Sequence, residues 1–251
     1  MIDPQQPRRY VPSPGSHQGR VVIVTGAGSG IGQAVAIALA RQGATIGLLG
    51  RTLRKLENTY DLIVRAGGPK PALLPFDFES AGAAEYDALS HAIDGEFGRI
   101  DGLAHVAGIL GALSPIDHYD VPTWCRVLHV NLTAPFILTR TLLPLLRRSA
   151  DASIVFTSSG AARRGHAYWG AYAASKFGTE GLMQVLAQEL EQARIRVNSL
   201  NPGPVATAMR LQAYPAEDHG RLAQPAAVTA PYLYLLGPAG AGASGMSFDC
   251  Q

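Results

Sequence analysis

The chain has 251 residues, only 16% of them charged, and a formal net charge of +2. That balance leaves no electrostatic footprint for nucleic acid. Two isolated cysteines, Cys125 and Cys250, are too few for a disulfide framework or a zinc site, and seven scattered histidines lack metal-ligand spacing, so no metal is expected. No apolar run reaches the ~20 residues needed to span a bilayer; Leu132 to Leu146 comes nearest and is broken by Arg140. A reduced, cytoplasmic setting is the expectation.

Residues 1–18 form a polar tail punctuated by Pro4, Pro7, Pro12 and Pro14, without the apolar core of a signal peptide. Disorder and packing on the outside of the domain both suit it. Residues 19–251 then alternate as a single-domain α/β fold, a doubly wound Rossmann-type parallel sheet. Val21 to Val24 is a β-branched run short enough for a buried strand. Ala34 to Arg41 is a helix. Ala44 to Leu49 is a strand, Leu53 to Arg65 a helix, Ala72 to Phe76 a strand, Ala83 to Phe97 a helix, and Ile100 to Val106 a strand. Val121 to Arg148 carries a long helix in which Pro135 marks a kink or a bulge near Asn131. Ser153 to Thr157 is the fifth strand, Ala171 to Glu191 a helix, and Ile195 to Leu200 the sixth strand. Gly203 to Pro225 reads as an excursion with a short helix, Pro231 to Leu236 as helical, and Met246 to Asp249 as a last strand.

Two motifs carry the chemistry. Thr25-Gly26-Ala27-Gly28-Ser29-Gly30-Ile31-Gly32 joins the first strand to the first helix. Such a turn aims backbone N–H groups and a positive helix end at a phosphate. It is not a P-loop, because no lysine precedes Lys55, and the G-x-G-x-x-G spacing fails at Ile31. Further on, Tyr172 and Lys176 lie four apart, on one face of a helix, and Ser159 lies thirteen residues before Tyr172. A phenol titrates near pH ~10, too high for ready proton exchange at neutrality. A nearby ammonium is expected to lower it, and a serine hydroxyl to hold a substrate oxygen beside it.

With its T-G-x-x-x-G-x-G turn, the chain resembles the short-chain dehydrogenase/reductase family from about Gly19 to Asp249. The runs Trp169 to Phe177 and Gly245 to Asp249 look like those of the YciK-type oxidoreductases. The resemblance implies proton exchange by Tyr172, a Lys176 that tunes the phenol and holds a nicotinamide ribose, a Ser159 that polarises the carbonyl, and an Asn131 that helps hold a proton-relay water. Taken alone, Asn131 is equally a helix-distorting polar residue satisfied by backbone groups. The implied cofactor residues are Gly26, Ser29, Gly30, Ile31, Gly32, Asp77, Ala107, Gly108, Tyr172, Lys176, Pro202, Gly203 and Thr207. One departure is Val106-Ala107-Gly108, where the family usually has Asn-Ala-Gly; the fold is expected to survive it.

After the second strand the chain reads Gly50-Arg51-Thr52 where an NAD-binding relative offers a carboxylate. Arg51 can grip a 2′-phosphate with nothing acidic opposing it, or be a solvated loop residue; NADP is expected over NAD. Ile109, Leu110, Ala161, Tyr168, Trp169 and Met209 flank the catalytic landmarks without charge, so a small to medium, partly apolar carbonyl or alcohol is the expected substrate. Trp169 suits packing under the helix start equally well. The apolar faces of the 121–148 and 171–191 helices suggest a homodimer or homotetramer. A catalytically silent dinucleotide-binding regulator, or a structural partner in an assembly, is the alternative on the same fold.

Overall fold

Val22 and Val24 of the first strand pack into one hydrophobic core, and Ile23 between them packs into a second. That alternation is the pleat of a strand buried on both faces. The computed structural model describes residues 3–251. Its elements run β1 (Val21–Thr25), α1 (Gly30–Arg41), β2 (Thr45–Gly50), α2 (Leu53–Arg65), β3 (Ala72–Pro75), α3 (Ala83–Phe97), β4 (Gly102–His105), α4 (Val121–Leu128), α5 (Ala134–Leu146) and β5 (Ala152–Thr157). They continue with α6 (Gly170–Glu189), β6 (Ile195–Asn201), α7 (Ala208–Ala213), α8 (Ala230–Leu236) and β7 (Ser247–Asp249). All strand pairs are parallel, in the order β3-β2-β1-β4-β5-β6-β7. Helices α1, α2 and α8 cover one face, and α3, α5 and α6 the other. The strand order reverses between β1 and β4, which opens a crevice at their carboxyl ends.

Local chemistry explains where the elements depart from the sequence reading. β4 is shorter than Ile100 to Val106 because both ends leave the ladder. The Ile100 N–H donates to the Leu145 carbonyl at 3.3 Å, and the Val106 N–H to Thr25 Oγ1 at 2.9 Å. Helix α1 starts at Gly30, four residues before Ala34, so part of the glycine-rich run is its first turn. Gly26 takes the left-handed conformation (φ 66°), and a Cβ there would lie 3.0 Å from Ala107 Cα. A Cβ on Gly32 would collide with the Gly26 carbonyl. Helix and strand therefore approach as only glycine permits.

The long helix before β5 is interrupted. Asp120 caps α4 by accepting from the Thr123 N–H at 2.8 Å. A π-helical stretch, His129–Thr133, then separates α4 from α5, with Asn131 at its centre and Pro135 just beyond. Bulges of this kind relieve a strained ladder and cluster at functional sites.

Of the two fates open to the tail, packing on the domain describes residues 3–18. Pro7 and His17 are buried, Tyr10 meets the Tyr234 ring edge-on at 5.4 Å, and His17 Nε2 lies 3.0 Å from the Leu233 carbonyl. Burial lowers the His17 pKa to about 4, with the Leu233 hydrogen bond acting against it. Among the described residues, no helix is long and apolar enough to cross a membrane.

Candidate active site

A cavity of about 830 Å³ fills the crevice at the carboxyl edge of the sheet. One wall is the glycine turn. Gly30, Ile31 and Gly32 form the first turn of α1, whose N–H groups have no partner within the helix. The opposite wall comes from α6, which carries Tyr172 and Lys176 one turn apart.

Lys176 is 5% exposed and donates to the Thr157 carbonyl at 2.7 Å. Its Nζ lies 5.7 Å from the centre of the Tyr172 ring, so ammonium and phenol share one face as the four-residue spacing predicts. Burial lowers the Lys176 pKa to about 8, opposed by the Glu180 carboxylate. Tyr172 corrects the sequence reading. Burial raises its phenol above the ordinary value, and the Ser159 hydroxyl pulls it the other way. The expected downward pull from Lys176 is not among the influences on this group; desolvation dominates it. Under the pair, His105 stacks on Phe156 at 4.6 Å, and its Nε2 lies 2.8 Å from Thr139 Oγ1. Burial first, then the Lys176 charge, lower its pKa to about 3, so it is neutral.

Gly26, Ser29, Gly30, Ile31, Gly32, Arg51, Asp77, Ala107, Gly108, Pro202 and Thr207 all line the cavity with Tyr172 and Lys176. Gly203 does not. Its left-handed turn (φ 70°) faces Gln251, and a Cβ there would meet the Gln251 Nε2 at 2.8 Å. Ile109, Leu110 and Met209 line the substrate end. Ala161 and Trp169 join Leu110 and Met209 in one apolar cluster with Tyr172, whose ring Trp169 meets edge-on at 5.7 Å. Ile109 packs against the neighbouring cluster of Tyr119, Val127 and Ala171. Tyr168 is on the surface, 58% exposed, with a positive φ of 74°. Its place in the sequence beside Trp169 did not carry it into the cavity, because the turn throws its side chain outward.

Asn131 is buried and its side chain is spent on its neighbours. Its Oδ1 accepts from the Ile109 N–H at 2.8 Å, and its Nδ2 donates to the Ile109 carbonyl at 2.9 Å and to Ser175 Oγ at 3.1 Å. The π-bulge thus fastens the loop after β4 to α6. Nearby, Thr25 Oγ1 accepts from the N–H groups of both Val106 and Ala107, at 2.9 and 3.0 Å. That pair of bonds ties β1 to the loop where the family's asparagine is replaced by Val106.

At the Arg51 end the expectation that nothing acidic opposes the guanidinium is wrong. Glu79 lies 3.7 Å from Arg51 and 2.7 Å from Arg126 of α4. Sequence reasoning missed Glu79 and Arg126, which line the cavity from two elements far apart in the chain. The only local signal was an acidic residue two places after Asp77.

These features define a Rossmann-type dinucleotide crevice with a buried phenol-ammonium pair at one end. The short chain dehydrogenase family matches residues 20–218, and this chain belongs to that family. It is 44% identical over 242 residues to the uncharacterised oxidoreductase YciK of Escherichia coli (strain K12), with 96% of each chain covered. A solved structure from Pseudomonas syringae, assigned to the short chain dehydrogenases, superposes with a TM-score of 0.95 at 48% identity, covering 96% of this chain and 98% of that one. Another so assigned, from Escherichia coli CFT073 and complexed with NADPH, gives a TM-score of 0.93 at 44% identity, covering 96% and 100%.

Proposed function

We propose that this oxidoreductase uses NADP(H) to interconvert a small to medium, partly apolar carbonyl and its alcohol, with Tyr172 as the proton-exchanging group. The observation that carries the reading is the buried Tyr172-Lys176 pair beside a glycine-lined crevice, with Ser159 just past the end of β5. The crevice fits a dinucleotide. A Cβ at Gly28 would lie 2.8 Å from Lys55 Cβ, so backbone alone forms the wall there, and the first turn of α1 offers its N–H groups to a pyrophosphate. The NADPH complex of the Escherichia coli CFT073 relative supports the choice of cofactor, as does Arg51 at the end of β2.

The cofactor supplies the hydride. Ser159 orients the substrate oxygen toward the phenol. Tyr172 gives or takes the proton, and its raised pKa keeps it protonated and ready to donate to a carbonyl being reduced. Lys176, held on Thr157, presents a cation that would stabilise the phenolate as it forms and would hold a ribose hydroxyl of the bound cofactor. Asn131 acts by fixing the π-bulge and the Ile109 backbone.

The substrate end supports an uncharged ligand. Arg210 makes a bidentate pair with Glu217, both bonds 2.6 Å, and its guanidinium lies 3.9 Å from the Tyr214 ring centre. Arg163 is paired with Asp249 at 2.9 Å. Neither is a free receptor for a multiply anionic molecule. Exposed Phe136 of α5 with Phe177 and Val185 of α6 supports a homodimer or homotetramer, while Leu186 and Leu190 are buried in the protein's own core. Free Cys125 and Cys250 suit the cytoplasm.

The test is a panel of carbonyls and alcohols, each assayed with both nicotinamide cofactors. Turnover of an apolar ketone or aldehyde with NADPH, slower with NADH, is the expected result. A wild-type protein that binds NADPH but turns over nothing in the panel would favour the silent dinucleotide-binding alternative. Sedimentation at micromolar concentration tests the assembly, and a monomer would reject it.

A further inference from the structure

The far side of the site holds a polar hub that the proposed chemistry does not use. Asp249 ends the edge strand β7, opposite Asn201 at the end of β6. Its Oδ1 accepts from Asn201 Nδ2 at 2.8 Å and lies 2.9 Å from Arg163 NH1. Its Oδ2 lies 3.0 Å from the same Arg163 nitrogen and 3.5 Å from Arg8 NH2, and its carbonyl accepts from Arg8 Nε at 2.8 Å. Each partner leads somewhere. Arg163 follows the single helical turn Gly160–Ala162 that Ser159 caps. The Asn201 Oδ1 accepts from the Gly203 N–H at 3.1 Å, beside the cavity-lining Pro202. Two residues on, Gln251 Nε2 donates to the carbonyls of Pro202 and Pro204, at 2.6 and 3.0 Å. Arg8 belongs to the N-terminal segment.

We infer that Asp249 is a positioning residue, which with Gln251 behind it holds the Pro202–Thr207 segment and the Ser159 turn in register around the reactive end of the cofactor. Arg8 completes the brace, which gives the N-terminal segment a part in the site. The inference rests on the proposed cofactor reading. Its physical basis is that one carboxylate with two arginines and an amide makes charge-assisted bonds, stronger and more directional than neutral ones. Such a brace is how loops without regular structure are held to catalytic tolerance.

The experiment compares two probes in calorimetric titrations of the full chain: NADPH, and 2′-phospho-ADP-ribose, which has the adenosine and phosphates but no nicotinamide. Asp249→Ala is expected to weaken NADPH about tenfold while leaving 2′-phospho-ADP-ribose within about twofold. Asp249→Asn keeps an acceptor for the Asn201 amide and should recover part of the loss. Gln251→Ala, at an exposed position remote from the core, should show the same split at about threefold, and it decides the matter if Asp249→Ala fails to fold. Equal weakening of both probes, or of neither, in folded variants overturns the inference while the cofactor reading stands. A wild-type protein that binds neither probe overturns both.

Discussion

At the Arg51 end of the cavity, charges meet in solvent: Arg51 has a side chain 64% exposed and faces Glu79 across 3.7 Å. At the Tyr172 end, Lys176 is 5% exposed and Tyr172 is 8% exposed, and both pKa values are set chiefly by desolvation. One end offers charge in screened, adjustable contacts. The other holds charge where every contact is strong and every loss expensive. Affinity should therefore be tunable at the first end without touching chemistry, and chemistry should be fragile at the second.

The sharpest way to break that division is Lys176→Ala. Turnover should fall at least ~10²-fold, the scale of an acid-base group, and NADPH affinity should fall with it because the ammonium serves both functions. Loss of affinity alone would mean that the phenol does not depend on the cation. Arg51→Asp should weaken NADPH about tenfold and NADH less than twofold. Added salt should erode the wild-type preference through Arg51, leaving the Lys176 contribution nearly constant. Equal loss for both cofactors would remove Arg51 from phosphate recognition.

The titration of Lys176 gives a further test. Its folded pKa, about 8, lies below the reference value of 10.5. The unfolded chain then binds more protons between those values, so this group's contribution to stability rises with pH across that window. Turnover should do the opposite and decline through about pH 8 as the ammonium is lost. Lys176→Arg, whose guanidinium stays charged, should move that decline upward; an unchanged profile would assign it to another group. The smallest effect is expected from Glu79→Gln. Relieving the carboxylate beside Arg51 should tighten NADPH about threefold and leave NADH unaltered. Weaker NADPH binding would mean that Glu79 holds Arg51 and Arg126 in place for the phosphate.

The two ends also differ in how far the sequence reveals them. Tyr172 and Lys176 lie one turn apart on one helix, so their approach follows from their spacing, and Ser159 lies just past the end of the preceding strand. The glycine turn is legible for the same reason, and Pro135 near Asn131 marks the bulge that becomes the π-helical stretch. The Glu79-Arg51-Arg126 cluster joins the segments that follow β2 and β3 to α4, and no local pattern predicts such a meeting. The upward shift of Tyr172 was missed because its cause is burial, a property of the folded chain. Adjacency to Trp169 points Tyr168 to the site and the family resemblance points Gly203 there, and turn geometry directs both elsewhere. The N-terminal segment looked like a tail because its contacts, Tyr10 with Tyr234 and Arg8 with Asp249, are more than two hundred residues away in the chain.

The most direct test of the account is Tyr172→Phe, examined by NADPH titration and by turnover on the best substrate of the panel. The substitution removes one hydroxyl from a buried ring and leaves Lys176 on Thr157. NADPH should bind within about twofold of wild type while turnover falls at least ~10²-fold. Ser159→Ala should reproduce the pattern in milder form. Near-wild-type turnover in Tyr172→Phe would contradict the account, since the proton would then travel through another group.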